Sequence, residues 1–508
     1  MQFNEIPQTR APFLFVEIDN SKALSTPQQK YKVLLLGQGL RSDTDQQPNE
    51  RELVRITSKK DANRFGSNSM LAAMIQSFFK GTRGIGFDVY AMALSMDSPS
   101  VLPDGMKSAC GSFTFAGTLT QDTVFTLSFA EVPITITIPP PSKGKDFKLE
   151  DLAALVASKI NDAGVPVSAN VNDKNKLTVD VVFKHPGIIG NGYDLRCENV
   201  PGLKISATSL SAGVGVPVNL IGAQANPDKK IPEIQSILEN LEQFHLIAFP
   251  YPESSALKKM QDQLKLRWNA TENLEGMAFT TLSDQNMLSK PDQCLKTFCL
   301  NSPYISLIAW NGLSAHYEVC ACIIAQIAES ASRDPSQSFI TLALPGLIPA
   351  KREDRFSFKE RGDLLGAGLS TLKEDTFNSV RIDRLITTYT GNGEFEDESY
   401  LDVNVPLILS FLRYSFKNYW GARFSRAKLS KETPRVRTQT TVVYPNLVKA
   451  TLVCWYKDMI ELGVCQDNLE QFKESITVEI DQSRLNIYIE PELMNQLVGT
   501  AVKMAFSN

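Results

Sequence analysis

Cys294, Cys299, His316, Cys320 and Cys322 are the densest group of possible soft-metal ligands in this chain. Zinc sites use ligand pairs on tight knuckles, usually with two to four residues between partners. Cys294 and Cys299 have four residues between them. Cys320 and Cys322, however, lie in a segment that reads as helix, where residues two apart project to different faces. His316 and Cys320 do share a face, but two ligands do not complete a site. Buried structural thiols are therefore expected, since cysteine is among the most often buried residues, and no metal. Gly37-Gln-Gly39 follows an apolar strand and invites a dinucleotide-binding reading. That fingerprint needs a glycine at position 42 and a helix opening there. Ser42 and a polar loop stand there instead, so a turn without cofactor is expected. Gly81-Thr-Arg-Gly-Ile-Gly86 falls between a helix and a strand, the wrong order for a phosphate cradle. The histidines, His185, His245 and His316, limit acid–base chemistry, and none sits in a strained, glycine-rich nucleophile turn. Gly312-Leu-Ser-Ala-His316 lacks the closing glycine of that pattern. No catalytic residue is expected, and the chain reads as a non-enzyme.

Charge is concentrated elsewhere. Arg413, Lys417, Arg423, Arg426, Lys428, Lys431, Arg435 and Arg437 crowd one segment against the single acid Glu432. Tyr414, Phe416, Tyr419, Trp420 and Phe424 are interleaved with them. By itself this segment is a solvated helix face, or a patch on which bases could stack. The formal net charge of -4 argues against a general nucleic-acid binder. The acidic run Glu394 to Glu398 reads as a solvated turn.

The elements needed to position these residues are legible in the apolar pattern. A chain of 508 residues implies two or three domains. Hydrophobic residues at 43% and charged residues at 21% suit a globular protein. No apolar run approaches the roughly 20 residues of a membrane span. The amino terminus lacks the pattern of a secretory signal. Eight cysteines without framework spacing suggest free thiols and folding in a cytoplasm. Phe13 to Asp19, flanked by prolines, reads as a strand-forming arm over residues 1–22. Tyr31 to Leu36 and Val89 to Ala93 read as buried strands around a helix at Ser69 to Lys80, an α/β (α+β) order. Ser58 is placed to cap a short helix containing Ala62 and Phe65. From Pro99 the texture changes to period-two strands at Phe113 and Phe115, Thr123 to Phe129 and Ile134 to Ile138. A helix at Leu149 to Ala163 and strands at Val165 to Val171 and Leu177 to Phe183 follow. Residues 100–222 read as a β-rich domain inserted into a core formed by 23–99 and 223–474. Within that core a helix is expected from Ile231 to Phe244, and strands at Leu246 to Phe249, Met277 to Thr280 and Tyr304 to Ala309. Helices are expected at Met260 to Trp268 and Ala315 to Ser330. At the end, Ile476, Val478 and Ile480 alternate, as do Leu485, Ile487 and Ile489, which predicts a hairpin. A last helix is predicted after Pro491, with Leu493, Leu497, Val498 and Ala501 on it. Residues 475–508 thus read as a second arm.

One long series of motifs remains. It comprises Leu342-Ala-Leu-Pro-Gly346, Arg355-Phe-Ser-Phe-Lys-Glu-Arg361, Leu364-Leu-Gly-Ala-Gly-Leu-Ser-Thr371, Arg384-Leu-Ile-Thr-Thr-Tyr389, Ser399-Tyr-Leu-Asp-Val403 and Ala422-Arg-Phe-Ser-Arg-Ala-Lys-Leu429. Val443-Tyr-Pro445, Glu461-Leu-Gly463, Phe472-Lys473 and Glu490-Pro-Glu-Leu-Met-Asn-Gln-Leu497 continue it. In this order the chain resembles the sheath subunit of Mu-like contractile phage tails. Gly190-Asn191 followed by Asp194-Leu-Arg196 is similar to a motif of the inserted module in that family. Ala427 departs from the family tendency toward histidine at that position. The resemblance implies a core with an outward inserted domain, stacked as rings, six-fold, into a helical cylinder around a tail tube. It further implies baseplate and tail terminator proteins as partners, a place in the virion tail, and no direct nucleic-acid or membrane contact. It suggests that Arg413, Lys417, Arg423, Arg426 and Lys428 face the tube. Phe13, Leu14, Phe15, Val16 and Ile18, with the hairpin residues, are expected to join an inter-subunit sheet. Two other readings stay open: a nucleotide-binding α/β enzyme, and a non-contractile, tube-like tail protein.

Overall fold

The computed structural model describes all residues except 1–28, 42–46, 83, 85, 98–105, 119–122, 131, 139–147, 199, 217–237, 239–241, 392–396, 434–440 and 507–508. Phe13, Leu14, Phe15, Val16 and Ile18 therefore lie outside the described residues, as do most of the helix expected before Phe244, Arg435 and Arg437. The chain divides into two compact units, residues 30–410 with 495–508, and a second containing 411–494. The division falls earlier than the boundary expected after residue 474.

The first unit is built on strands β1 (Tyr31–Leu40), β2 (Val54–Ile56) and β3 (Phe87–Asp97), with a 3-10 turn at Lys59–Phe65 and helix α1 (Met70–Gly81) between the last two. The Asp61 carboxylate accepts the Thr57 and Ser58 N–H groups at 2.8 and 2.9 Å, closing that turn's start. Val33, Leu34, Leu35 and Leu36 are all buried, so β1 is covered on both faces. In α1, Leu71, Met74, Ile75, Phe78 and Phe79 are buried, and Ser69 caps the helix by accepting the Ala72 N–H at 3.0 Å. Gly37 sits in tight packing: a Cβ there would stand 3.2 Å from Leu71 and from Met74, which would have to give way.

Two antiparallel sheets follow. They use β4 (Cys110–Gly117), β5 (Val124–Phe129), β6 (Val132–Thr137), helix α2 (Leu149–Asp162), β7 (Val167–Val171), β8 (Thr178–Phe183), β9 (Leu195–Cys197) and β10 (Leu203–Ser211). One sheet has the order β10-β4-β8-β7 and the other β6-β5-β9. Phe125, Leu127 and Phe129 point inward with period two, as the alternation requires.

The parallel sheet then resumes with β11 (Leu246–Ala248), helix α3 (Ser254–Arg267), β12 (Met277–Leu282), the short helices α4 (Gln285–Leu288) and α5 (Pro291–Phe298), β13 (Ile305–Ala309) and helix α6 (His316–Ala331). The strand order is β13-β12-β11-β1-β3-β2, parallel except for β2. Helix α6 is buried on nearly every side and packs on α1. Helix α7 (Phe358–Gly366) and the hairpin β14 (Thr371–Glu374) to β15 (Val380–Arg384) follow, and α8 (Asn404–Phe424) ends the unit at Ser410.

The second unit holds the rest of α8, β16 (Lys428–Leu429) paired in parallel with β17 (Val442–Val443), α9 (Pro445–Glu461), α10 (Leu469–Ser475), and β18 (Thr477–Asp481) antiparallel to β19 (Arg484–Tyr488). Its small core is aromatic. Tyr456 stacks on Phe472 at 3.9 Å, and the Trp455 Nε1–H donates to Ser415 Oγ at 3.1 Å.

One expectation is overturned. No helix forms after Pro491: residues 491–506 carry neither helix nor ladder, apart from the Cys465–Leu493 bridge. A helix is stabilised mainly by burying an apolar face, and here that face finds no surface. Leu497, Val502, Met504 and Phe506 are 75 to 88% exposed. Instead, Gln466 N–H donates to Glu492 O and Met494 N–H to Val464 O, at 2.9 and 3.0 Å, which draws the chain off the helical path.

Candidate assembly surfaces

The hairpin stands where the alternation placed it. Thr477 to Asp481 pairs with Arg484 to Tyr488 across a two-residue turn, Gln482-Ser483, with Gln482 in the left-handed region at φ 51°. Ile476 is buried, and Val478, Ile480, Leu485, Ile487 and Ile489 are half-buried. A two-stranded sheet is marginal alone, and among the described residues neither strand has a second neighbour. An open cleft of about 780 Å³ lies beside β19, lined by Phe416, Trp420, Arg484, Leu485, Asn486, Ile487 and Ile489. Phe416 and Trp420 stack at 5.7 Å. The cleft therefore mixes aromatic and aliphatic side chains with polar ones and is contained within one unit.

The basic residues are less unified than their spacing suggested. Lys417, Arg423, Arg426 and Lys428 are exposed and Arg413 is half-buried. Arg413 and Lys417 share a helix face. Arg423 lies roughly 240° around the helix from Lys417, at about 100° per residue, and stacks its guanidinium 3.5 Å from the Tyr419 ring. Arg426 and Lys428 lie beyond the helix end. The five make a basic corner, not a single stripe.

Many of the motif residues from Leu342 to Val403 hold the fold internally. Arg361 bonds Asp383 at 2.9 Å, and Lys373 reaches the same carboxylate at 3.0 Å. Arg384 grips Asp402 through Nε and Nη2, both at 3.1 Å. Buried Ser306 and Ser370 hydroxyls lie 2.9 Å apart, and both donate to the Ile386 carbonyl. Ser357 caps α7 together with Glu360. Phe358 and Phe377 depart from this pattern, each 87% exposed.

Among the described residues, the chemistry-bearing groups lie apart from one another. Among the described residues no cluster of three or more His, Cys, Asp or Glu side chains could hold a metal. Cys294, Cys320 and Cys322 are buried as expected, and burial pushes the Cys320 thiol up to about 12. Cys299 is exposed, contrary to expectation, because it takes the left-handed cap position of α5 at φ 53°. His316 is hydrogen-bonded to the Pro250 backbone and held neutral, its pKa lowered to about 4 by burial. His245 accepts the Lys32 N–H at 3.0 Å and is lowered to about 4 by burial and by Lys32.

His185 occupies the place a dinucleotide phosphate would need. In doubly wound sheets ligands bind at the carboxyl ends of strands where the order reverses. Here that point lies between β1 and β11, next to the amino end of α1. His185 Nε2 accepts the Met70 N–H at 2.8 Å, and Gln38 Nε2 donates to the Pro186 carbonyl at 3.2 Å. The Tyr251 hydroxyl reaches Met70 Sδ at 3.8 Å. Burial, with Lys184 nearby, lowers His185 to about 3, so its nitrogen stays an acceptor. The helix dipole is met by protein, and Gly37-Gln-Gly39 serves packing.

The chain is 28% identical to the Mu-like prophage FluMu tail sheath protein of Haemophilus influenzae over 529 aligned positions, covering 98% of this chain and 97% of that one. Along nearly its whole length the chain is similar to a Mu-like tail sheath protein. No family model matches it. Among solved structures, the sheath tail protein of Desulfitobacterium hafniense overlies it with a TM-score of 0.49 at 10% identity, over 96% of this chain and 97% of that one. The Listeria innocua sheath tail protein does so at 0.46 and 15%, over 92% and 94%. A chain of the anti-feeding prophage baseplate, six-fold symmetrised, gives 0.48 at 9%, over 99% and 100%. Sequence reasoning missed the aromatic cleft beside β19, because α8 and β19 are some 60 residues apart.

Proposed function

We propose that this chain is the structural subunit of a contractile tail sheath. It polymerises as stacked rings around a tail tube and contracts to drive the tube through a target envelope. The observation that carries the reading is similarity to a tail sheath protein along nearly the whole chain. Unsatisfied assembly features support it. Among the described residues the hairpin keeps free strand edges, next to a cleft lined by Phe416, Trp420 and Ile487. Residues 497–506 present an unpartnered run in which Val498, Val502, Met504 and Phe506 alternate with small or polar residues. That is strand patterning, and strand addition is a general mode of joining chains.

In this reading Phe13 to Asp19 and the carboxyl tail of adjoining copies complete the sheet begun by β18 and β19. Four to six ladder bonds at a net of about 1 kcal/mol each make one junction modest, and repetition around a cylinder supplies avidity. Such head-to-tail contacts generate rings or open helices. The basic corner at Arg413, Lys417, Arg423, Arg426 and Lys428 would hold the tube by charge, which sets register without locking it. The β-rich segment, 100–222, would lie outermost. Baseplate and terminator proteins would engage the cylinder ends. The energy of contraction is stored kinetically in the extended lattice, so no catalytic group is invoked.

Negative-stain microscopy of the purified protein tests this. Wide hollow cylinders in long and shortened states are expected, and loss of the first 19 residues should leave a folded subunit that forms none. Filaments of a single narrow diameter under all conditions would overturn the reading in favour of a tube-like protein.

A further inference from the structure

The β-rich segment does more than project from the core. Its chain enters at Lys107 and leaves at Val214, which exchange N–H···O bonds at 2.9 and 3.0 Å. A third pass joins them there: Gly187 N–H donates to Lys107 O and Ile188 N–H to Gly215 O, at 3.1 and 2.8 Å. The Asn191 amide clasps both backbone groups of Gly213, at 2.8 and 3.0 Å. This third pass also carries His185 and Pro186 into the core sheet. The loop that knits the neck and the loop that meets α1 are therefore one stretch, residues 185–191.

We infer that His185-Pro186 is an intramolecular latch, which fixes the β-rich segment to the core by occupying the amino end of α1. Helix amino ends leave several N–H groups without partners, and at a buried end each needs one. Ser69 satisfies Ala72, and His185 satisfies Met70 from more than a hundred residues away. Because α1 packs on α6, a shift of the core helices is transmitted to the β-rich segment through a donor–acceptor pair and the rigid neck. The latch belongs to the single chain, so it stands whether or not the chain polymerises.

The test is amide hydrogen exchange on the full-length, unassembled chain, comparing wild type with His185→Gly and Gln38→Ala. His185→Gly should speed exchange at the Met70 amide and the neck amides Gly187 and Ile188 together, on the order of tenfold or more, as expected when a buried donor loses its partner. Added imidazole, which refills the space with the same acceptor, should reverse the effect. Gln38→Ala should give a smaller change at the same amides. If His185→Gly does not fold without imidazole but folds with it, the latch is likewise supported. Faster exchange at Met70 alone, with the neck unchanged, would overturn the coupling. Failure of imidazole to restore either protection or folding would overturn the role assigned to the ring nitrogen. Cylinder formation is scored separately, so a failed latch leaves the assembly reading intact.

Discussion

Asn191 and Arg384 carry more of the structure than their exposure suggests. Asn191 is half-buried, yet its side-chain amide bonds both backbone groups of Gly213. Asn191→Ala should cost about 2 kcal/mol, one net hydrogen bond for each group plus part of the desolvation. The urea midpoint should fall with an unchanged slope; an unmoved midpoint would deny the clasp. Gly190 beside it is fixed by close approach, since a Cβ would stand 2.7 Å from the Phe183 ring. Arg384 forms a two-pronged, half-buried pair with Asp402. Arg384→Lys should lose nearly as much stability as Arg384→Ala, about 1–2 kcal/mol, because an ammonium cannot reproduce the fork. Thermal melts of the two variants would separate this from a simple charge effect, in which Lys would restore the wild-type value.

Among elements, the hairpin is a two-stranded sheet without a further neighbour among the described residues, and the carboxyl tail leaves its apolar side chains exposed. Ile487 faces the aromatic cleft while remaining half-buried. Ile487→Glu should cost the lone subunit under about 1 kcal/mol, the usual range for partly exposed positions. It should nevertheless abolish cylinders in electron micrographs. Ending the chain at Gln496 removes Leu497, Val502, Met504 and Phe506, all largely exposed. The melting temperature should stay within about 2 °C of wild type, while sedimentation shows subunits that no longer polymerise. A large loss of subunit stability would mean the tail belongs to its own body. The predicted last helix failed for the same reason that the tail is interesting. Its apolar residues fit a helix face and a strand face alike, and local pattern does not choose between them.

At the scale of the whole molecule, all three histidines are buried and neutral. Each has a folded pKa below the 6.5 of the exposed side chain, at about 3 for His185 and about 4 for His245 and His316. The unfolded chain therefore binds more protons between those values and pH 6.5. Their contribution to stability is complete above pH 6.5 and is lost as pH falls toward 3–4. At pH 5 the loss should approach about 2 kcal/mol per histidine. Urea titrations of the unassembled chain at pH 7.5 and 5 would check it, and His245→Phe, in a site that already holds Tyr31 at 4.8 Å, should flatten part of the slope.

Periodicity alone determined the buried strands at Tyr31 to Leu36 and Met277 to Thr280, the helix at Ser69, the β-rich stretch and the closing hairpin. Each writes its burial directly into local spacing, two for a half-buried strand and 3.6 for a helix. The motif series likewise pointed to a sheath relative, and residues of it such as Arg361, Ser370 and Arg384 meet particular partners in the fold. What spacing could not hold is contact between distant segments. Only the tertiary structure decided that His185 would fill the phosphate position of α1, that Phe416 and Trp420 would line a cleft with Ile487, and that Cys299 would face solvent. It also decided that the residues after Pro491 would stay unhelical, for a helix needs a surface to bury its face and this subunit gives the tail none.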